Sequence, residues 1–278
     1  MSPAPAVAPA QVNIDAVAAE IFATLGTGRQ IAPFSSRPAG LSVADAYRVS
    51  AALDAMRAAR NENRLGRKIG FTNRTIWHEY GVYAPIWGFV YDSTLHDLGA
   101  TDALSLAGFA EPRIEPEIVF GLSAAPSADM DEAALLACLE WVAHGFEIVQ
   151  SIYPRWKFAA ADTVAANGVH GALLIGPRHP IAPRAGAWQA MLPAFGIDLC
   201  RDGRPIDRGN AANVLGGPLS ALRHLVGLLA HDPINPPLTA GEIVTTGTLT
   251  RAMPIAPGET WSTVLHGIPL DGIRLQFI

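Results

Sequence analysis

Two glutamates, Glu115 and Glu117, flank a proline in the run Arg113-Ile114-Glu115-Pro116-Glu117-Ile118-Val119-Phe120. The run is rich in strand formers. Side chains alternate faces along a strand, so both carboxylates project the same way. A third acid, Glu147, lies in the apolar segment Phe146-Glu147-Ile148-Val149. Carboxylates turned toward a core are costly unless something neutralises them. A divalent cation would do so, because hard cations prefer oxygen ligands. The competing reading of Glu115 and Glu117 is a solvated strand face, with Pro116 suited to an edge strand. For Glu147 it is a buried acid paired with Arg or Lys.

Other residues invite a role. Lys68, in Gly66-Arg67-Lys68-Ile69-Gly70-Phe71-Thr72, is an ammonium among glycines, placed either to reach a ligand carboxylate or to face solvent. Asp162 follows Trp156-Lys157-Phe158 and is equally readable as a helix cap. Asn167-Gly168 is readable as a plain turn. The eight histidines show no ligand spacing.

Several chemistries are excluded. Gly26-Thr27-Gly28 is followed by Ile31 where a dinucleotide fingerprint needs its third glycine, and there is no Walker A run. His78-Glu79 would begin a zinc-protease motif, but Val82 stands where the second histidine belongs. No Gly-x-Ser-x-Gly elbow occurs. The 278 residues carry 20 Lys plus Arg and 25 Asp plus Glu, a formal charge of −5, which argues against a nucleic-acid binder. Half the residues are hydrophobic and the mean hydropathy is +0.23, which suits a well-cored globule. No apolar run approaches the ~18 residues of a membrane span. Cys138 and Cys200 form no CxxC motif, and the Ala/Pro-rich start does not read as a signal peptide. The expected location is the cytoplasm.

The elements that must position these residues fall into two textures. Residues 1–11 are expected to be a disordered tail. Ile14, Val17, Ile21 and Leu25 recur at helical spacing and predict a helix over 13–25. Ser42-Val43-Ala44-Asp45 predicts a capping box opening a second helix to about residue 61. Short apolar segments divided by Gly and Pro then predict strands over 67–71, 86–90, 113–121, 144–150, 170–176, 242–246 and 270–277. Helices are expected near 131–141 and 218–230. The division is a helical N-terminal cap, 1–62, and a β-rich catalytic body, 63–278, of barrel or sandwich type.

Taken in order, the motifs resemble the 2-keto-4-pentenoate hydratase and 4-oxalocrotonate decarboxylase group of the fumarylacetoacetate hydrolase superfamily. The matching stretches are Gly40 to Tyr47, Gly66 to Thr72, Glu115 to Ile118 and Phe146 to Val149. They continue through Trp156-Lys157-Phe158, Ala161 to Asn167, Thr246 to Thr250, Pro254 and Gly258. The resemblance implies an α+β fold, a mixed β-roll or barrel body with a small helical N-terminal cap. It implies Mg²⁺ or Mn²⁺ held by Glu115, Glu117 and Glu147, with Lys68 near the substrate, and a homo-oligomer, dimer or larger.

The implied activity is a lyase acting on a short unsaturated 2-oxo acid or its dienol in aromatic-compound catabolism. The main expectation is a hydratase of the 2-oxopent-4-enoate type; the alternative is a 4-oxalocrotonate-type decarboxylase. Cation stabilisation of an enolate is common to both. Asp162 and Asp92 are the expected proton-transfer residues, with His78 behind them. Trp87, Trp156 and Phe158, with Trp77, are the expected apolar wall. One segment departs from the pattern. Hydratases of the group often carry Gly-Val-Asp-x-Pro-Asp, whereas this chain has Gly81-Val82-Tyr83-Ala84-Pro85-Ile86-Trp87-Gly88, nearer the decarboxylase branch. An acylpyruvate hydrolase would need a base such as a cap histidine, and residues 1–62 contain none. A non-catalytic oxo-acid-binding homologue is the remaining class.

Overall fold

A computed structural model describes residues 11–278, so residues 1–10 of the expected tail lie outside the described residues. Helix α1 (Ile14–Thr24) is capped by the Asn13 side chain, which accepts the Ala16 N–H. Helix α2 (Val43–Ala58) is capped by Ser42. The Asp45 carboxylate accepts the Ser42 hydroxyl at 2.8 Å, so this box closes side chain to side chain. Strands β1 (Arg64–Gly70), β2 (Ile86–Tyr91), β3 (Leu95–Asp97) and β4 (Ala103–Leu104) follow, with the short α3 (Trp77–Tyr80) between β1 and β2. Strand β5 (Arg113–Leu122), α4 (Glu132–Ala137), β6 (Leu139–Val149) and α5 (Ala160–Ala165) form the middle of the chain. Then come β7 (His170–Ile175), β8 (His179–Pro180), α6 (Ala185–Met191), β9 (Gly196–Arg201), β10 (Arg204–Asn210) and α7 (Pro218–Ala230). The chain ends with β11 (Ile243–Thr245), β12 (Met253–Pro254), β13 (Thr260–His266) and β14 (Arg274–Phe277).

Among the described residues the strands form two sheets. The larger runs β2-β1-β11-β5-β6-β7-β3, with β12 beside β5 and β8 beside β6. The smaller runs β10-β9-β13-β14-β4. Ile114, Phe146, Ile148 and Leu174 of the larger sheet cluster with Leu199, Trp261, Leu275 and Phe277 of the smaller. Helices α4, α6 and α7 cover another face through Phe120, Trp188, Leu222 and Leu225. The result is the α+β architecture expected, a curled, half-barrel-like mixed sheet with an N-terminal helical region. That region shares its core with the body: Ile21 and Leu53 cluster with Ile86, Tyr153 and Val164. Among the described residues no helix is long and apolar enough to cross a membrane.

Two local expectations are corrected. The helix near 131–141 stops at Ala137, because Leu139 to Trp141 are taken by β6, which pairs with β5 and β8 there. Pro116 does not mark an edge strand. It lies inside the sheet opposite Phe146, in the gap where β11 and β12 leave the other side of β5 without a ladder. Its carbonyl accepts the Leu249 N–H of the segment crossing that gap at 2.9 Å, so no ladder donor is missed.

Candidate metal centre

The register of β5 against β6 assembles the acids. Glu115 and Glu117 share a face of β5, and Glu147 of β6 is the direct partner of Glu115. One carboxylate oxygen from each lies within 4.8 Å of the others. Glu117 and Glu147 are fully buried, and Glu115 is half-buried at the wall of a cavity. Like charges directly opposed across a sheet repel, so this face needs a counter-charge.

Part of it is Lys68. Strand β11 lies between β1 and β5, and Lys68 of β1 pairs with Thr245 of β11. The buried Lys68 Nζ sits 3.0 Å from Glu147 Oε2 and donates to the Gly168 carbonyl at 3.1 Å. That carbonyl belongs to a turn, 167–169, whose three residues all have φ between 56° and 64°. A Cβ on Gly168 would stand 2.8 Å from Lys68 Cδ, and one on Gly88 would stand 2.4 Å from the Asn167 carbonyl. Both glycines let the turn press onto the lysine. The Asn167 side chain pins it by accepting the Phe89 N–H and donating to the Phe89 carbonyl.

The carboxylates differ in what they lack. Glu117 Oε2 accepts the Gly247 N–H at 2.8 Å and the Thr245 hydroxyl, whereas Oε1 is buried with no partner. Glu147 Oε1 is 2.7 Å from His170 Nδ1, and His170 Nε2 is 2.9 Å from Thr94 Oγ1. With Nδ1–H donating to the carboxylate, the neutral ring accepts the threonine hydroxyl. An all-oxygen donor set with an orphaned buried acceptor fits a hard divalent cation. Three carboxylates, one ammonium and one such cation sum to neutrality.

Burial pushes the Glu115 carboxyl up to about 7, with Lys68 opposing and Glu147 adding to the rise. Burial also holds Glu117 well above its usual range, reinforced by Glu147 and Glu115. Burial would raise Glu147 too, but the Lys68 ammonium and the His170 hydrogen bond outweigh it and keep that carboxyl below its ordinary value. A folded-state carboxyl raised from 4.5 to about 7 contributes stability below pH 4.5 that is lost as pH rises through about 7. A cation must displace those protons. The thermal stabilisation produced by Mg²⁺ is therefore expected to grow between pH 5.5 and 8, read by melting temperature with and without chelator. A gain independent of pH would contradict the assignment.

His170 has no signal in residue spacing, since it reaches Glu147 through the irregular pairing between Ile148 and Val149. Outer hydrogen bonds of this kind are worth about 10–100-fold in metal affinity. His170→Ala is expected to weaken Mn²⁺ binding by that order in a calorimetric titration, with His170→Gln, which keeps a donor, in between. Unchanged affinity would remove His170 from the site.

The remaining expected residues are distributed as follows. Lys68, Glu115, Trp156 and Phe158 line one cavity of about 130 Å³, with Phe71, Ile86, Arg113 and Thr248. Trp87 is buried in the core, stacked on Tyr47 at 5.1 Å. Trp77 and Tyr83 line a different cavity, and His78 is exposed. Asp92 is exposed and accepts the Asn63 N–H and side-chain amide. The Asp162 carboxylate is buried and accepts the Ser35 N–H, the Ser35 hydroxyl and the Ala159 N–H, tying the N-terminal segment to the start of α5. Neither aspartate lines the cavity with Lys68. Arg113 is a pocket residue to which sequence reasoning gave no role, although its i−2 spacing from Glu115 already placed it on the acidic face.

No protein-family model matches the chain. It is 32% identical over 257 residues to a 2-hydroxyhexa-2,4-dienoate hydratase from Comamonas testosteroni, covering 91% of this chain and 94% of that protein. It is 30% identical over 219 residues to a 4-oxalocrotonate decarboxylase from a Pseudomonas species, covering 78% and 81%. Among solved structures it is similar to 4-oxalocrotonate decarboxylase from Pseudomonas putida G7, complexed with magnesium and adipate. The TM-score is 0.86 at 25% identity, covering 97% of this chain and 100% of that one. Sequence likeness along nearly the whole chain, the shared fold and the buried glutamate cluster agree: the chain belongs to the hydratase and decarboxylase family of the fumarylacetoacetate hydrolase superfamily.

Proposed function

We propose that the protein is a divalent-cation-dependent lyase that decarboxylates a short unsaturated 2-oxo dicarboxylic acid of the 4-oxalocrotonate type. The carrying observation is Ile86. It stands on the wall of the Lys68 cavity, at the position where the hydratase pattern Gly-Val-Asp-x-Pro-Asp has its second acid. The wall beside it is made of Phe71, Trp156 and Phe158. An apolar wall suits a step in which a carboxylate becomes neutral CO₂, and it offers no acid to direct water. The full-length likeness to a decarboxylase structure supports the same reading.

We assign Glu115, Glu117 and Glu147 as the cation ligands. A cation held there supplies Lewis-acid stabilisation of the oxygen on which enolate charge develops. Lys68 holds Glu147 ionised, and its ammonium adds positive potential on the same side of the cavity. In 2-oxohex-3-enedioate the bond between C5 and C6 breaks. Its electron pair becomes the C4–C5 double bond, the C3–C4 pair shifts to C2–C3, and the 2-oxo oxygen takes the charge. CO₂ leaves, and a proton on that oxygen completes 2-hydroxypenta-2,4-dienoate. The aromatic walls keep water from this path.

A second reading, hydration of a 2-hydroxy-2,4-dienoate, is favoured by the 32% identity to a hydratase. The two separate in one assay. Purified protein with Mg²⁺ is given 2-oxohex-3-enedioate and, separately, 2-hydroxypenta-2,4-dienoate. Release of CO₂ from the diacid is the expected result. Loss of dienol absorbance without CO₂ would replace this reading with hydration, and inactivity on both would end the lyase assignment.

A further inference from the structure

We propose that Arg113 is the specificity residue of this pocket: its guanidinium receives a second carboxylate at the far end of the substrate and selects dicarboxylic over monocarboxylic 2-oxo acids. The inference deepens the lyase reading above and rests on it for the identity of the pocket.

The observation is an unclaimed charge. Arg113 opens β5 two residues before Glu115, so both side chains leave the same face and line the same cavity. Its guanidinium lies 4.2 Å over the Trp156 ring and makes no hydrogen bond or ion pair among the described residues, acting on Glu115 only through its field. Arg37, Arg57 and Arg67, by contrast, are paired with Glu20, Glu62 and Glu242. A planar fork of five donors, stacked and left open, is the arrangement that takes a carboxylate in bidentate fashion.

The aromatic platform is itself held in place. Trp156 Nε1–H donates to the Glu111 carbonyl at 3.0 Å, and the Arg155 N–H donates to Glu111 Oε1 at 2.9 Å. Glu111, Arg155 and Trp156 all lie in the left-handed region, at φ 43°, 61° and 56°. Such backbone is unfavourable for residues other than glycine and concentrates at ligand clamps. Here its product is the orientation of one indole beneath one guanidinium.

Length agrees with charge. Two residues along a strand advance about 6.7 Å. Five C–C bonds of about 1.5 Å in an extended zigzag separate the terminal carbons of a six-carbon diacid by about 6 Å. A substrate whose 2-oxo acid end lies at Glu115 therefore presents its other carboxylate near Arg113.

The role is selection, not acceleration. During CO₂ loss the negative charge leaves the Arg113 end and gathers on the oxygen at the Lys68 end, so the Arg113 contact weakens toward the transition state. Removing it raises KM for the diacid and leaves kcat unreduced.

The test is calorimetric binding to the Mg²⁺-loaded protein of 2-oxoadipate and 2-oxohexanoate, which share a head group and a chain length. Arg113 also favours the ionised form of Glu115, and that contribution cancels between the two ligands. The wild type is expected to prefer the diacid by about 10–100-fold, the range of a charge-assisted hydrogen-bonded pair. Arg113→Gln is expected to lose that preference, the two acids then binding alike, and Arg113→Lys to keep part of it. Equal binding of the two acids by the wild type, or an undiminished preference in Arg113→Gln, overturns the proposal. Failure of the lyase reading looks different: the diacid preference follows Arg113 but no substrate turns over.

Discussion

Glutamine in place of Glu117 is expected to yield a folded protein that has lost Mg²⁺ and Mn²⁺ binding and with it all lyase turnover. Glu117 is fully buried, and its Oε2 is already committed to the Gly247 N–H and the Thr245 hydroxyl. A glutamine carbonyl takes over both bonds without moving. The amide NH₂ then occupies the place of the orphaned Oε1. Glu117 keeps its proton well above the usual carboxyl range, so without a cation the amide replaces a neutral group of the same shape, and the cation-free protein is expected to be about as stable as the wild type. The same substitution replaces a ligand lone pair with N–H. The loss in affinity should therefore exceed the ~10–100-fold typical of an outer-shell change. Melting curves in chelator and in Mg²⁺ check both halves. A variant that kept its Mg²⁺-dependent shift would take Glu117 out of the centre.

Lys68→Met, by contrast, is expected to destabilise the cation-free protein. The lysine is buried, and together with His170 it outweighs desolvation in keeping Glu147 ionised. Without it, Glu147 loses the charge that helps to keep it ionised, and breaking a buried pair of this kind costs about 3–5 kcal/mol. Mg²⁺ should stabilise this variant more than it stabilises the wild type, because the cation becomes the sole positive charge in the cluster. Denaturant unfolding in chelator and in saturating Mg²⁺ measures the two differences. Equal stability of variant and wild type in chelator would show that Lys68 is not the counter-ion of the cluster.

The two variants separate what was readable in the chain from what was not. That Glu115 and Glu117 share a face follows from strand alternation alone, whereas reading them as cation ligands needed the resemblance. Glu147 needed the resemblance, because an isolated acid in an apolar run is equally a buried ion-pair partner. His170 and Thr245 depend on which strand lies beside which and on an irregular pairing after Ile148, quantities that no spacing encodes. The same limit explains the strands. Segments 86–91, 113–122 and 170–175 are almost wholly buried and read as apolar runs. Strand β10, Arg204-Pro-Ile-Asp-Arg-Gly-Asn, has no buried face and therefore no period to read. Asp162 shows a different limit. Its local role at the start of α5, accepting the Ala159 N–H, is within reach of spacing, whereas its tie to Ser35 is visible only once residues more than a hundred positions apart are placed together.

The three acids lie on β5 and β6, which follow one another in the chain, whereas the groups that close over them come from strands far away in sequence. Lys68 and Thr245, on β1 and β11, meet through a parallel pairing that closes around everything between them. Loop closure of that length comes late in folding, after local hairpins have formed. The three carboxylates can therefore come together on β5 and β6 before Lys68 and Thr245 are in place. A cation held by them would have to be released before β5 and β6 part, so its effect is expected on the rate of unfolding. In kinetic terms a filled site would act as a latch on the closure of β1 and β11 beside β5, so that persistence of the fold, as well as chemistry, would gain from its being filled.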